Sequence, residues 1–123
     1  MTLQELYAQI DGDYAEAVGR LRADSLISRF ILRFLDDKSC EQVQQAWASG
    51  DERATFHASH SAKGVCANLS LTKLGAIAGE ICEATREGNE ALRAQTDIDG
   101  LVAELAELYA RTVACIKEYQ ASL

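Results

Sequence analysis

The chain has 123 residues, no proline and a formal net charge of −7, with 48% hydrophobic and 25% charged residues. That length fits a single domain spanning 1–123, with enough apolar residue for one core. The acidic balance argues against a nucleic-acid backbone or an anionic membrane surface as partner, and no apolar run approaches the roughly 20 residues of a membrane span. Met1–Ile10 shows no basic patch followed by an apolar stretch, so no signal peptide is expected. Cys40, Cys66, Cys82 and Cys115 form no CxxC pair and read as small buried hydrophobes in a reducing cytoplasm.

The absence of proline fits helices joined by short loops. Thr2, with Glu5 as a capping box, opens a short helix through Ile10. Asp11-Gly12-Asp13 breaks it, and Asp13 caps a second short segment through Arg20. Asp24 opens a longer helix to about Asp36, with Leu26, Ile27, Phe30, Ile31, Phe34 and Leu35 at helical spacing. Ser39 and Gln42 form a capping box for a short helix ending near Ser49, in which Val43 and Trp47 share a face. Gly50 stops it and Asp51 caps a helix over Glu52–Leu69. Ser70 interrupts and caps the next, which Gly88 ends, with the stripe Leu71, Leu74, Ile77, Ala78, Ile81 and Cys82. Asp97 caps the last, with the stripe Ile98, Leu101, Val102, Leu105, Leu108, Tyr109, Val113 and Ile116.

The longer helices, each with one apolar stripe, imply an all-α fold: an antiparallel up-down four-helix bundle over about 24–121, with short additional helices over about 2–20 covering one end. A monomer is expected, because the bundle buries every stripe. None of this bears on function.

The Glu52–Leu69 helix carries the chemistry. At 100° per residue, Thr55, Ala58, Ala62, Val65, Cys66 and Leu69 share the core side. Arg53, Phe56, His57, His60, Lys63, Gly64, Ala67 and Asn68 fall opposite. His60 is thus an imidazole on an exposed face, and a neutral ring nitrogen is a competent nucleophile toward an activated phosphoryl group. Lys63, three residues on, reaches the same region with a charge suited to phosphate. Gly64 lies in mid-helix, where glycine costs roughly 1 kcal/mol relative to alanine. Such a cost is tolerated where something must approach the backbone.

The run His60-Ser61-Ala62-Lys63-Gly64, followed by Val65-Cys66-Ala67-Asn68-Leu69, resembles the signature of the histidine-containing phosphotransfer (HPt) family. Ala46–Asp51, Leu74–Gly88 and Phe30–Asp36 resemble its flanking helices, so the likeness covers roughly residues 11–120. It departs from the family at Ala62, where a larger apolar residue is usual, and at Ser70, where glycine is frequent. The resemblance implies that His60 is the phosphorylated residue, Lys63 its phosphate-stabilising neighbour, and Gly64 the point of clearance for a partner. Phe56, His57, Ala67 and Asn68 would belong to the docking face. It implies transfer of a phosphoryl group from a receiver-domain phospho-aspartate to His60 and on to another receiver domain. The partners would be response regulators, a hybrid sensor histidine kinase, or both. No cofactor is expected on this chain; Mg²⁺ would sit on the receiver. The protein would be a cytoplasmic phosphoryl carrier rather than an autonomous kinase, since no glycine-rich phosphate loop is present.

His57 lacks a lysine and a glycine at the matching offsets. His57 and His60 could supply two metal ligands, but nothing in the sequence completes the shell. Glu80, Glu83, Glu87 and Glu90 read as a solvated face, and Arg20, Arg22, Arg29 and Arg33 as ordinary surface. Gly75 and Gly79, inside an apolar stripe, read as close-packing positions, and Trp47 as a core or end-cap residue. The functional alternative is a non-catalytic helical docking module for a signalling partner.

Overall fold

A computed structural model describes residues 1–123, which form helices and no strand. In chain order they are α1 (Leu3–Gln9), α2 (Tyr14–Leu21), α3 (Asp24–Arg33) with a 3₁₀ turn at Phe34–Asp36, α4 (Ser39–Ala48), α5 (Glu52–Leu69), α6 (Thr72–Thr85), α7 (Glu90–Gln95) and α8 (Ile98–Ala121). Helix α7 has no counterpart among the elements the sequence predicts: the stretch between Gly88 and Asp97 carries no apolar stripe, and none of the helix's residues is buried.

Several caps fall where the sequence places them. Thr2, Asp13, Asp51 and Asp97 each accept a hydrogen bond from the backbone N–H three residues on, satisfying donors the first helical turn would leave unpaired. Three do not. Asp37, not Ser39, bonds the Ser39 amide and hydroxyl at the start of α4. Ala23 precedes α3 without a side-chain bond, and Asp24 instead accepts from the Tyr14 hydroxyl at 2.6 Å. Ser70 does not cap α6. It closes α5 in the left-handed conformation, with φ +57°, where a missing side chain is the cheaper solution. That explains why glycine would be natural there.

The expected fourth wall of the bundle is also corrected. Helices α4, α5, α6 and α8 touch in a ring: α4 on α5, α5 on α6, α6 on α8, and α8 on α4. Helix α3 contacts α5 and α8 only slightly, and it is cut short by the 3₁₀ turn. One contiguous core runs from Leu3 to Tyr119 and includes α1 through Leu6 and Tyr7.

The N-terminal helices clamp the turn between α5 and α6. The buried Tyr7 hydroxyl donates to the Leu69 carbonyl at 2.8 Å, and the Asp13 amide donates to the Ser70 carbonyl at 2.9 Å. Arg20 donates to the Asn68 carbonyl at 2.9 Å and to the Ser70 hydroxyl at 3.0 Å. Arg20 is therefore not ordinary surface: it offsets the unfavourable backbone of Ser70 and fixes the end of the helix that bears His60. Trp47, half-buried, donates to Asp99 at 2.7 Å and lies beneath the Arg93 guanidinium, joining α4 to α7 and α8.

Candidate functional site

Helix α5 buries Thr55, Ala58, Ala62, Cys66 and Leu69, as its periodicity predicts, and Ser59 in addition. Val65 is only half-buried. The hydroxyl of Ser59 reaches the Phe56 carbonyl, so a polar residue turns inward without losing its partner. His57, His60, Lys63, Gly64, Ala67 and Asn68 are all exposed along the opposite side, so one strip carries every sequence-predicted site residue but Phe56.

Phe56 is half-buried and supports that strip from the side. Its ring stacks against His60 at 6.0 Å and 25° and meets His57 edge-on at 5.4 Å. The Arg86 guanidinium lies 5.0 Å from its centroid. Arg86 in turn holds Glu83 through two hydrogen bonds, at 2.9 and 3.3 Å. The Arg86 hydrogen bond and charge hold the Glu83 carboxyl below its ordinary range, aided by the charges of Lys63 and His60 and opposed by desolvation. Arg86 and Glu83 belong to α6 and its end. Sequence reading missed them because their tie to His60 runs between helices rather than along one.

Nδ1 of His60 faces Sγ of Cys82, on α6, at 4.0 Å. Nε2 has no hydrogen-bond partner within the chain. Cys82 was expected only as a member of the α6 apolar stripe, and it is fully buried there.

Lys63 forms no ion pair. Its aliphatic stem lies over α6 beside Gly79: a Cβ at that glycine would sit 3.6 Å from Cδ and 3.8 Å from Cε of Lys63. Gly75 packs against α5 itself, since a Cβ there would meet Cys66 Cβ at 3.1 Å. Gly64 differs from both. A Cβ on it would have no neighbour within 4 Å, and its φ is not positive. Neither packing nor backbone geometry within the chain asks for glycine at this position. The site is thus an exposed imidazole with one free ring nitrogen, a lysine free of ion pairs one turn on, and a bare stretch of helix beside them.

Residues 36–112 match the family model of the Hpt domain, more than half of the chain. The chain belongs to the Hpt domain family. An Hpt domain is a helical phosphotransfer module of two-component signalling, and such domains interact with receiver domains in phosphorelays. The matched span takes in α4 through most of α8 and leaves α1, α2 and α3 outside it, so the clamp on the α5–α6 turn comes from residues beyond the family core. Comparison with curated proteins and with solved structures returned no match. No helix of this Hpt domain is long and apolar enough to cross a membrane.

Proposed function

We propose that this Hpt domain accepts a phosphoryl group on His60 from a receiver-domain phospho-aspartate and hands it to another receiver domain. The observation that carries the reading is the bare helix surface around Gly64 beside an exposed imidazole whose Nε2 has no partner in the chain. A surface of this shape admits a partner's active site close to the α5 backbone.

The chemistry needs little from the chain. Nε2 donates its lone pair to phosphorus, the bond from phosphorus to the aspartyl oxygen breaks, and the carboxylate leaves with the electron pair. The phosphoramidate formed is itself reactive, so the step reverses on the next receiver. Lys63, with no carboxylate holding it, stabilises the added charge. Gly64 supplies the clearance, while His57, Ala67 and Asn68 form the rim on which the receiver seats. Phe56 acts from beneath that rim by stacking on the histidine. Mg²⁺ and the acidic cluster belong to the receiver, and this chain binds no cofactor for the transfer. The whole of 1–123 forms one unit, a monomer built on an up-down antiparallel bundle and working in the cytoplasm.

The test is transfer from an acetyl-phosphate-charged receiver domain to the wild type, His60→Gln and His57→Gln. Acid-labile phosphate on the wild type and His57→Gln, with none on His60→Gln, is the expected result. Label that survives His60→Gln and disappears in His57→Gln would move the site one turn and overturn the roles given to Lys63 and Gly64. An absence of label with a panel of receivers would favour a docking module without chemistry.

A further inference from the structure

Cys82 is fully buried on α6, and the only polar contact of its thiol is the Nδ1 of His60, 4.0 Å from Sγ. The other restraint on the ring is Phe56, stacked on its face. A neutral imidazole carries one proton, and the bond made by one nitrogen decides which of the two is left as the acceptor. If Nδ1–H donates to the sulfur, Nε2 keeps its lone pair. If the thiol donates to Nδ1, the proton lies on Nε2 and must leave before that nitrogen can attack. No group of the chain bonds Nε2 to receive such a proton.

We infer that Cys82 is a positioning residue for His60: its buried sulfur accepts the Nδ1–H and so holds the nucleophilic lone pair on Nε2. The inference rests on the phosphoryl-acceptor reading above. It fits both states of a carrier. During attack the N–P bond forms at Nε2, the P–O bond to aspartate breaks with its electron pair leaving on the carboxylate, and the proton stays on Nδ1, so the ring takes up a positive charge and its Nδ1–H remains directed at the sulfur. A carboxylate in the place of Cys82 would favour the doubly protonated ring, which has no lone pair. The neighbouring carboxylate on α6, Glu83, is instead engaged by Arg86. A weakly accepting thiol sulfur selects the tautomer without adding a second proton to the ring before attack.

The experiment is ¹⁵N NMR of the histidine rings at a pH where they are neutral, in the wild type, Cys82→Ser and Cys82→Val, with His60→Gln assigning the signals. The wild type and Cys82→Ser should show His60 predominantly as the Nδ1–H tautomer. Cys82→Val, which keeps bulk but offers no acceptor, should move His60 toward the mixture of an unrestrained imidazole. Transfer from a charged receiver should fall roughly two- to tenfold in Cys82→Val, the scale of one modest hydrogen bond, and stay within about twofold of wild type in Cys82→Ser. Should the valine variant fold poorly by circular dichroism, Cys82→Ala provides the same loss of acceptor. A wild-type ring protonated on Nε2, or an Nδ1–H tautomer unchanged by both Cys82→Val and Cys82→Ala, overturns the inference. The spectrum needs no partner, so a wild type that shows the expected tautomers yet takes no phosphoryl group would sink the relay reading while leaving the role of Cys82 intact.

Discussion

Replacing Gly64 with alanine adds one methyl group to an open helix surface, and its two consequences should run in opposite directions. The methyl would have no neighbour within 4 Å, and the backbone is in a conformation any residue adopts. Only the intrinsic helix preference of alanine over glycine acts, worth roughly 0.5–1 kcal/mol in a helix interior. For a domain of this size that is a rise in Tm of about 2–5 °C, readable by calorimetry or circular dichroism. A larger side chain at the same position, as in Gly64→Gln, should also leave the isolated domain no less stable than wild type. It would, however, stand between His60 and an approaching receiver. Overpacking of a close contact costs roughly 1–3 kcal/mol, which is about 5- to 150-fold in transfer rate. Direct phosphorylation of His60 by a small phosphoramidate should be unchanged in both variants, separating access from chemistry. The control is Gly75→Ala. Its methyl would meet Cys66 Cβ at 3.1 Å, an atom held by the α5 backbone, so α5 and α6 must part and the variant should lose stability. If Gly64→Ala destabilises, or if Gly64→Gln transfers as fast as wild type, the glycine serves something other than clearance.

The remaining predictions concern the frame that holds α5. Removing the Arg20 side chain (Arg20→Ala) should cost about 1–2 kcal/mol in chemical denaturation through two lost hydrogen bonds at the α5 terminus. Ser70→Gly should lie within about 1 kcal/mol of wild type, because relief at φ +57° offsets the lost Arg20 contact. Burial pushes the Tyr7 hydroxyl up to about 12, against a partial lowering by Arg20. The folded state thus favours the neutral phenol more than the unfolded chain does. Its contribution is intact below about pH 10 and drains away as pH rises toward 12, by at most about 3 kcal/mol. Tyr7→Phe should be less stable by about 1 kcal/mol at pH 7 and lose less stability than wild type between pH 9 and 11. An unchanged alkaline limb in that variant would remove Tyr7 from the explanation. Trp47→Phe should cost about 1 kcal/mol through the Asp99 bond, measured by thermal melting.

Determined by the sequence alone were the features that live within a single helix. Period and caps are local, so the limits of α5, its buried side and the exposed strip of His60, Lys63 and Gly64 could be read from Glu52–Leu69 and its Asp51 cap. The likeness of the His60–Gly64 run to the Hpt signature is local too, and the match of residues 36–112 bears out the family it implied. Tertiary structure decided what depends on the approach of separate helices. It replaced α3 by α4 in the ring around the core, because a stripe shows that a helix is buried and not against which neighbour. It turned Ser70 from a cap of α6 into the left-handed close of α5, held by an arginine 50 residues away. It distinguished three mid-helix glycines that look alike in sequence: Gly75 packed on Cys66, Gly79 lying under the Lys63 stem, and Gly64 open. It also brought Cys82, Glu83 and Arg86 around the imidazole. Contacts between helices are set by packing angle and rotation about the helix axis, and a periodic pattern carries neither.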